Sequence, residues 1–473
     1  MARALVWFRR DLRLADNPAL RAALDAGQAP VPVYIHAPDE EGAWAPGAAS
    51  HAWLDRSISA LSADLAAAGS GLVVREGPSL DTLLRLAADT GAEAVYWNRL
   101  YEPAALARDS AVESGLRAAG LEARSFNGAL LAEPWTVATG NGDPYRVFTP
   151  FWRNASQQLA GISTTPAPSR LPPLPDGLPA GEPSALGLAP RPGWDRGFWK
   201  HWQPGEAGAL DMLEAFADGA GHGYKQQRNI PDRIGTSKLS PHLHFGEISP
   251  RQIVSRLAQR QSPPIAEVDH YCFLSELGWR EFSHHLLFHF PHTSDQDLNP
   301  RFANFEWAPP DPALLEAWQK GRTGVPLVDA GMRELWHTGW MHNRVRMVVA
   351  SYLTRNLRYH WRHGARWFWD TLVDADLANN SQGWQWSAGT GADAAPYFRI
   401  FSPVSQAERF DVEGRYIRQW VPELANLPVP ALFEPWDHPA KARQFAPDYP
   451  VSPIVDPKAS REAALAAYQS IKG

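Results

Sequence analysis

The residue types best suited to bind phosphate lie in "GTSKLSPHLHFGEISPRQ", which begins at residue 235. Ser-Pro pairs at 240–241 and 249–250 each predict a helix N terminus, with serine as the cap and proline in the first turn. Thr236 and Ser237 add hydroxyls before the first of these helices. Hydroxyls and unpaired backbone N–H groups at a helix N terminus suit a phosphate or pyrophosphate, although such residues more often serve only as caps.

Two further segments place polar and charged side chains on predicted helices. In "SELGWREF", Glu276 and Arg280 are four residues apart, so a simple ion pair on the helix surface would also explain them. In "GWMHNRVRM", Asn343, Arg346 and Met347 have the i, i+3, i+4 spacing of one helical face. The second segment therefore predicts a face that combines an amide, a cation and an apolar sulfur.

Neither cluster of potential metal ligands is complete. The segment "DADLANN" at 374–380 supplies two carboxylates and an amide, but no further ligand follows at metal spacing. His285 and His289 are four residues apart, yet nothing after them completes a tetrahedral set. The single cysteine, Cys272, excludes internal disulfides and cysteine-based zinc or iron–sulfur sites. We therefore predict no metal centre.

Positive charge is concentrated in two stretches of a chain whose net charge is −6. Residues 224–260 contain seven Lys or Arg against two acids, and residues 333–369 contain seven arginines against Glu334 alone. Either stretch by itself is typical of a solvated helix face. Ten of the 21 tryptophans lie between Trp279 and Trp386, however. Cations for phosphates and flat rings for bases together indicate a nucleic-acid groove.

The elements that must position these residues divide into two kinds. The runs "ALVWF", "VPVYI", "LVVRE" and "AVYWN" predict strands, and helical stretches such as 51–68 and 103–119 alternate with them. This alternation predicts an α/β domain with a Rossmann-like parallel sheet at 1–130, although G-x-G-x-x-G is absent. Nine prolines at 161–195 predict an interdomain linker, which we place at 131–205. A mainly α-helical domain is predicted at 206–473.

Composition points to an ordinary globular protein, with 44% hydrophobic and 20% charged residues. No apolar run is long enough to span a bilayer. The first residues, "MARALVWFRRDLRL", lack the features of a secretory signal. We therefore expect a cytoplasmic protein without membrane contact.

Long motifs resemble the photolyase/cryptochrome family. "LVWFRRDLRLADNPAL" resembles the opening of its members, and four later segments resemble its flavin-binding half in the same order: "GTSKLS", "ELGWREF", "DAGMRELWHTGWMHNRVRM" and "NNSQGWQWSAGTGADAAPYFRIFSP". The similarity spans essentially the whole chain and is greatest to class I cyclobutane pyrimidine dimer photolyases. It implies a flavoprotein lyase that binds FAD and repairs DNA under blue light.

The resemblance assigns the FAD-binding residues one by one. Lys238 stands where arginine is usual, which keeps the charge but loses the bidentate fork, and Phe273 stands where close relatives often have tryptophan. Asn380 corresponds to the residue beside flavin N5, and Arg346 to the partner of an aspartate. The implied FAD contacts are Tyr224, Thr236, Ser237, Lys238, Leu239, Ser240, Phe273, Arg280, Arg346, Asp374, Ala375, Asp376 and Asn380.

The resemblance also assigns an electron path and a lesion site. Trp384, Trp361 and Trp307 match the inner, middle and outer tryptophans that reduce the flavin; packing alone would account for most other tryptophans. The loop "FEWAPPDP" around Trp307 is one residue longer than in some relatives. The implied DNA and lesion contacts are Arg228, Glu276, Trp279, Arg280, Asn343, Arg344, Met347, Trp386 and Gln406.

Four functions are compatible with parts of this pattern. Repair of cyclobutane dimers is favoured over repair of (6-4) photoproducts, because enzymes of the second kind carry histidines where Asn343 and Met347 stand. A signalling cryptochrome of the plant type tends to have Asp in place of Asn380 and a long C-terminal tail, whereas about 70 residues follow "YFRIF" here. An unrelated flavin oxidoreductase would not need a basic groove.

Relatives also hold a light-harvesting chromophore in the N-terminal domain. Ala104 and Ala105 stand where folate-binding relatives carry Asn and Glu, and Ala45 lies near the position of their His. 8-Hydroxydeazaflavin is therefore favoured over methenyltetrahydrofolate. We expect a monomer without an obligate protein partner, acting on UV-damaged DNA that contains cyclobutane pyrimidine dimers.

Overall fold

The computed structural model describes residues 2–190, 193–259, 263–393, 399–450 and 452–471. The chain forms two compact units. The first comprises Met1–Trp194, Trp202–His222 and Ser237–Pro291, and the second comprises Asp195–His201, Gly223–Thr236 and His292–Gly473. The domain boundaries predicted from the sequence, at 130 and 205, divide the chain into consecutive segments, whereas each structural unit is built from three separate segments. Those boundaries stay a prediction.

A five-stranded parallel sheet forms the centre of the first unit. Its strands are β1 (Arg3–Phe8), β2 (Ala29–His36), β3 (Val73–Glu76), β4 (Ala92–Asn98) and β5 (Glu122–Phe126), which lie in the order β3-β2-β1-β4-β5. Between them run α1 (Pro18–Asp25), α2 (Ala48–Ala67), α3 (Ser79–Thr90) and α4 (Pro103–Ala118). Leu5, Val33 and Val95 from the strands and Leu83 and Leu116 from the helices share one buried core. The predicted α/β domain with a parallel sheet is confirmed.

The fifth strand was not predicted. It lies at the edge of the sheet and has the sequence "EARSF", in which Glu122 and Arg124 are exposed. An edge strand has one neighbour and one partly solvated face, so it lacks the continuous apolar run by which buried parallel strands are recognised. The predicted helices at 51–68 and 103–119 correspond to α2 and α4.

Two prolines occupy β2, an interior strand of the sheet, where proline is normally excluded. Pro30 and Pro32 pair with β1, but β3 pairs with β2 only from Val33 to His36. The prolines therefore lie in the part of β2 that β3 does not reach. The ladder to β1 uses donors at other positions, as in the bond from the Ala29 N–H to the Ala2 carbonyl at 2.8 Å. The missing N–H groups cost the sheet no hydrogen bond.

The proline-rich segment contains no α-helix or strand within 161–190 and 193–195, the part of it that the structure describes. It nevertheless belongs to the first unit and bonds to backbone groups between α2 and β3. The Leu171 N–H donates to the Ala68 carbonyl at 2.7 Å, and the Gly181 N–H donates to the Leu72 carbonyl at 2.9 Å. Residues 191 and 192 of the predicted linker lie outside the described residues.

Helices dominate the remainder of both units, as predicted. In chain order they are α5 (Phe148–Ala155), α6 (Glu206–Asp218), α7 (Tyr224–Gln227), α8 (Ser240–His244), α9 (Pro250–Gln259), α10 (Glu267–His289), α11 (Pro312–Gln319), α12 (Pro326–Thr338), α13 (Asn343–Ser351), α14 (Trp361–Thr371), α15 (Leu377–Ala388), α16 (Pro403–Phe410), α17 (Arg415–Trp420), α18 (Pro439–Phe445) and α19 (Pro457–Ser470). A π turn at Tyr352–Asn356 continues α13. Across the described ranges, no helix has both the length and the apolar character that a membrane crossing requires.

Candidate functional site

The predicted phosphate-binding segment immediately precedes α8. Within it, the Ser237 Oγ accepts a hydrogen bond from the Leu239 N–H at 3.4 Å. Lys238 has a left-handed φ of 52°, and its Nζ lies 5.7 Å from the ring centre of Trp202. The structure places Leu239 at the cap position and Ser240 inside the helix, so the predicted serine cap is wrong by one residue. Leu239 already has helical backbone angles, which is why the helix starts before Ser240 can cap it.

The second Ser-Pro pair does begin a helix with a serine cap, as predicted. The Ser249 Oγ accepts from the Gln252 N–H at 3.0 Å, and the Gln252 Oε1 accepts from the Ser249 N–H at 2.8 Å. This is a reciprocal capping box at the start of α9. The buried Ser249 hydroxyl also donates to the Asp16 carboxylate at 2.5 Å. Hydrogen bonds within the protein therefore already occupy the Ser249 side chain and backbone N–H. Only the first Ser-Pro pair, at 240–241, stays a predicted phosphate-binding position.

Helix α10 carries the predicted lesion and flavin residues of the first unit. Trp279 stacks face to face on Phe148, with ring centres 3.8 Å apart and planes at 8°. One face of the indole is therefore covered by protein. The Arg280 Nη1 donates to the Ala129 carbonyl at 2.9 Å and lies 3.2 Å from the Glu281 carboxylate. This guanidinium is thus held by its own unit.

Phe273 and Glu276 of α10 were also predicted from the family resemblance, as a flavin contact and a lesion contact. Phe273 is buried and packs on Phe216, with ring centres 4.4 Å apart. Glu276 follows one helical turn later and is partly exposed. Phe273 is therefore fixed by its packing on Phe216, and the carboxylate of Glu276 lies one turn further along α10 and is partly accessible to solvent.

The histidine pair of α10 is engaged in hydrogen bonds. The His285 Nε2 accepts from the Tyr145 N–H at 3.0 Å, while His285 Nδ1 and His289 Nε2 lie 3.2 and 3.1 Å from the Pro134 carbonyl oxygen. Burial, followed by the neighbouring His289, lowers the pKa of His285 to about 4. These imidazoles act as structural hydrogen-bonding groups.

In the second unit, an ion pair links α13 to the loop before α15. The Arg346 Nη2 lies 2.9 and 3.1 Å from the two carboxylate oxygens of Asp374, and its Nε donates to the Met341 carbonyl at 2.8 Å. Asp374 is buried, so the guanidinium neutralises a charge that could not stand alone there. The pairing that the resemblance implied is present.

The start of α15 concentrates buried polar groups. The Asp376 Oδ1 caps the helix by accepting from the Asn379 N–H at 2.8 Å. The Asn380 Nδ2 donates to the Ala365 carbonyl at 3.0 Å. This bond fixes the side-chain amide, whose oxygen points away from the Ala365 carbonyl. Asp376, Ala375 and Asn380 are all buried. The capping bond fixes the carboxylate and the amide relative to one helix.

The first turn of α13 presents the predicted shared face. Asn343 is exposed and Arg346 and Met347 are half-buried, whereas Val345 and Val348 are buried. The i, i+3, i+4 face predicted from the sequence is confirmed. The amide of Asn343 therefore stands at the open end of this helix.

Buried groups hold the helix start in place. The His342 Nδ1 accepts from the Arg344 N–H at 3.2 Å, and the His342 N–H donates to the Glu334 carboxylate at 3.1 Å. The Tyr416 hydroxyl donates to the same carboxylate at 2.6 Å. Burial, and then the charges of Arg344, Arg346 and Arg228, lower the pKa of His342 to about 3. His342 is therefore a neutral cap at physiological pH.

Four arginines of the second unit form what we call the arginine cluster: Arg228, Arg344, Arg399 and Arg409. Burial lowers the pKa of Arg344, and the charges of the other three lower it further. The Arg344 Nη2 donates to the Asn229 Oδ1 at 2.5 Å, and its guanidinium lies 4.5 Å from the ring centre of Phe410. Mutual repulsion makes this a surface suited to a polyanion.

Sequence reasoning missed Arg399 and Arg409, which lie outside both basic stretches. Each lies over an aromatic ring, Arg399 at 4.7 Å from Phe401 and Arg409 at 5.1 Å from Phe410. This pairing of cation and ring was a signal available in the sequence. Gln406, predicted to contact DNA, lies one turn before Arg409 on α16.

Other predicted residues of the second unit extend this aromatic and cationic surface. Arg228 lies 5.6 Å from the ring centre of Tyr224, the first residue of α7. Trp386 on α15 lies 6.2 Å from the ring of Phe401. Thr236 ends the short segment that carries Tyr224 and Arg228. Residues 394–398 of the last long motif lie outside the described residues.

The middle and outer tryptophans of the predicted path are linked by a histidine. The ring of His360 lies 5.5 Å from Trp361 and 5.0 Å from Trp307. The Trp361 indole N–H donates to the Asp297 carboxylate at 2.7 Å. Burial, followed by nearby charges, lowers the pKa of His360 to about 4, so it is a neutral ring between two indoles.

The inner tryptophan lies directly on the helix that begins with the middle one. A Cβ at Gly364 of α14 would lie 2.0 Å from the Trp384 ring, so only glycine allows this approach. Gly364 is one turn after Trp361, which brings the two indoles to the same region of the helix. Trp384 also packs edge-on against Phe368 at 4.9 Å. Its indole N–H is buried without a hydrogen-bond partner in the described part of the chain.

Comparisons with known proteins agree with this fold and these groups. The family model described as DNA photolyase matches residues 4–173, and that described as the FAD binding domain of DNA photolyase matches residues 273–470. A deoxyribodipyrimidine photo-lyase of Agrobacterium fabrum is 47% identical over 100% of this chain and 98% of its own. Cryptochrome-2 of Arabidopsis thaliana is 39% identical over 97% of this chain and 78% of its own.

A solved structure described as a bacterial class III photolyase from Agrobacterium tumefaciens superposes with a TM-score of 0.94 at 46% identity, over 100% of this chain and 98% of that one. A parallel α/β sheet, a helical half and these matches define a class of FAD-binding proteins. This chain belongs to the photolyase/cryptochrome family, and the family assignment made from its motifs is confirmed.

The residues at the start of α15 fit the flavin cofactor that the family's FAD-binding domain implies. Asp374 and Asp376 offer carboxylate acceptors, which suit ribose hydroxyls and ring N–H groups, and the Asn380 amide offers both a donor and an acceptor. The buried indole N–H of Trp384 is a further polar atom that the described protein does not satisfy. The donor set therefore matches a ribose and an isoalloxazine ring.

Proposed function

We propose that this protein is a light-driven lyase that splits cyclobutane pyrimidine dimers in DNA with FAD as its cofactor. The observation that carries the proposal is the first turn of α13, where Asn343 and Met347 flank Arg344 of the arginine cluster. The Asn343 amide can donate to a pyrimidine carbonyl, and Met347 offers a soft apolar contact. The neighbouring cations suit the phosphates on both sides of a lesion.

The protein's own residues would bind and orient the dimer. A lesion inside a duplex has to leave the base stack before an active site can reach it. Trp279, stacked on Phe148 through one face, would offer its other face to a base, and Trp386 would do the same. Glu276 would accept a hydrogen bond from the polar edge of a thymine. Reduced FAD, when bound, would supply the photo-excited electron that opens the cyclobutane ring and would take that electron back after the ring has split.

The FAD contacts form a second part of the proposal. We assign the phosphates to Tyr224 and to Thr236, Ser237, Lys238, Leu239 and Ser240, and the ribose and ring region to Phe273, Arg280, Arg346, Asp374, Ala375, Asp376 and Asn380. The Arg346–Asp374 pair, at 2.9 Å, supports this assignment because it fixes a buried carboxylate in one orientation. Asp374→Asn should therefore lower FAD retention during purification, measured by the ratio of flavin to protein absorbance.

A direct assay tests the choice of lesion. Reduced protein is irradiated with blue light in the presence of oligonucleotides that carry either a cyclobutane dimer or a (6-4) photoproduct, and the products are separated. We expect repair of the dimer only, and none in the dark. Repair of the (6-4) lesion, or of neither lesion, would overturn the proposal. The last outcome, combined with flavin photoreduction, would indicate a light receptor instead.

One variant separates lesion chemistry from DNA affinity. Glu276→Gln should lower the yield of repair per absorbed photon more than it lowers the affinity for DNA, because phosphate contacts through Arg228 and Arg344 remain. Gln406→Ala is the matched comparison: it should weaken binding and leave the yield of the bound complex unchanged. The reverse pattern would contradict these two roles.

The electron path has its own test. Trp384→Phe should abolish most photoreduction of oxidised flavin, because phenylalanine is far harder to oxidise than an indole, yet repair should persist after chemical reduction. Trp318→Phe is the control, since Trp318 is also buried and lies 6.2 Å from Trp384 but is outside the proposed path. A normal photoreduction rate in Trp384→Phe would show that the path is misassigned.

Within the family, the relative described as class III makes that branch better supported than the class I branch suggested by the motifs. We also propose a second chromophore in the first unit, with 8-hydroxydeazaflavin favoured over methenyltetrahydrofolate because Ala104 and Ala105 offer no polar side chain. The absorption spectrum of protein from its native source tests this: a released folate would contradict the choice.

A further inference from the structure

The loop between α7 and α8 carries an unusually exposed apolar side chain. Ile234 is 79% exposed, more than any other large hydrophobic residue that the structure describes. The backbone beside it is fixed, because a Cβ on the buried Gly235 would lie 2.4 Å from the Gln227 carbonyl oxygen of α7. The isoleucine is therefore held outward by the packing of the next residue on a helix.

Polar contacts tie the same loop to two other elements of the second unit. The Asn229 Oδ1 accepts from Arg344 at the start of α13 at 2.5 Å. The Asp232 carboxylate lies 3.8 Å from the guanidinium of Arg415 at the start of α17. The loop is thus anchored to α13 through Asn229, and it begins with Arg228, a member of the arginine cluster.

A single exposed isoleucine on a protein surface needs no explanation by itself. Ile234 differs in its surroundings, because it follows Arg228 and the exposed Arg233 on a loop hydrogen-bonded to Arg344. Such a cationic surface is complementary to the phosphates of DNA. An apolar side chain among phosphate-binding cations is the arrangement by which proteins insert a wedge between base steps.

We infer that Ile234 packs against the bases of duplex DNA beside the lesion and covers the base faces uncovered when the dimer leaves the stack. This inference rests on the proposed function. The gain comes from removing an apolar side chain and exposed base faces from water together. It arises only where a complementary strand supplies stacked bases, so a dimer in single-stranded DNA should not need Ile234.

The test compares one variant on two substrates. For Ile234→Ala we expect roughly ten-fold weaker binding of a dimer in duplex DNA, the loss of one well-buried aliphatic contact. Binding of the same dimer in a single strand should be unchanged. Leu210→Ala is the matched control, since Leu210 on α6 is also an exposed aliphatic residue, at 40%, and has no place in the proposed surface. Ile234→Leu should restore duplex binding.

A second measurement reports the base stack directly. With 2-aminopurine opposite the lesion, saturating Ile234→Ala should change the fluorescence relative to wild type, whereas Leu210→Ala should match wild type. Equal loss on both substrates, or no loss on either, would overturn the wedge. Ile234→Thr keeps the β-branched shape and gives the same comparison if the alanine variant folds poorly. Failure of the wild type to repair the dimer in either substrate would instead refute the proposed function.

Discussion

Arginine has opposite roles in two regions of this molecule. In the first unit, Arg13 is 1% exposed, and its guanidinium donates to four carbonyl oxygens, those of Ala15, Asp16, Gly128 and Gly246, at 2.7 to 3.0 Å. In the second unit, the charges that act most strongly on Arg344 are those of Arg228, Arg399 and Arg409. One guanidinium donates to four carbonyl groups, whereas the other lies in the field of three further cations.

The difference between these two environments indicates a different role for arginine in each region. A buried guanidinium whose donors are all satisfied joins distant parts of the chain and stabilises only the fold. A cluster of like charges destabilises the folded protein through repulsion, and that repulsion is relieved when a polyanion binds. The same residue type is therefore structural in the first region and, under the proposed function, binds DNA in the second.

The largest expected effect comes from removing the structural arginine. Arg13→Met should lower the free energy of unfolding by about 3–5 kcal/mol, because three buried carbonyl groups and the half-buried one of Ala15 lose their donor. Urea denaturation measures this change. Arg13→Lys, which keeps the charge but loses the planar fork, should give an intermediate loss. A change below about 1 kcal/mol in Arg13→Met would break the comparison.

A pH dependence should reveal the burial of His342 beside Arg344, Arg346 and Arg228. The pKa of His342 is lowered to about 3 from 6.5. As pH falls below 6.5, His342 is therefore protonated in the unfolded chain while it stays neutral in the folded protein. The contribution of neutral His342 to the free energy of unfolding is therefore fully present above pH 6.5, and it is lost progressively as pH falls toward 3. Between pH 7.5 and 5, wild type should lose about 2 kcal/mol more than His342→Asn, which keeps a capping side chain.

Urea titrations at several pH values measure that difference. The control is His337→Asn, a histidine near the end of α12 that lies outside the cap of α13. Parallel pH profiles for wild type and His342→Asn would mean that the imidazole is protonated in the folded protein.

Removing a member of the arginine cluster should have the reverse signature of Arg13. Arg344→Met should leave the unfolding free energy unchanged or raise it, since repulsion is relieved. Its affinity for DNA should fall roughly ten-fold at low salt, and the slope of log K against log salt should decrease by about 1. Fluorescence anisotropy over a salt series measures both. A destabilised Arg344→Met with normal DNA binding would contradict the division of roles.

The smallest effect is expected for an arginine in neither class. Arg21 on α1 is exposed and forms an i, i+4 ion pair with Asp25 at 2.6 Å. Such surface pairs contribute little, so Arg21→Gln should change neither stability nor DNA affinity measurably. A clear loss of DNA binding in Arg21→Gln would show that charge alone, rather than the arginine cluster, governs the interaction.

Periodic patterns allowed much of the architecture to be predicted. The four apolar runs became β1 to β4, and the i, i+3, i+4 spacing put Asn343 and Met347 on one face. The edge strand β5 escaped because Glu122 and Arg124 interrupt its apolar pattern. The cap at Ser240 was misplaced by one residue because helix boundaries depend on backbone angles that neighbouring residues also accept.

The arginine cluster could not have been found by counting charge along the chain. Its members come from sequence positions 228, 344, 399 and 409, so no single stretch contains them all. Tertiary packing alone brings Arg344 to Asn229 and to the ring of Phe410. The roles assigned to individual site residues came from long motifs, since local spacing cannot distinguish a packing tryptophan from an electron carrier.

The two prolines of β2 have a consequence for how the chain survives its own folding. Parallel sheets bring together segments distant in sequence, so they form late and expose unpaired edges meanwhile. At Pro30 and Pro32 the edge away from β1 offers carbonyl acceptors but no N–H donors, so a foreign strand could form only part of the usual hydrogen-bond ladder there. The prolines thus hinder intermolecular strand addition along the stretch of β2 that β3 does not cover.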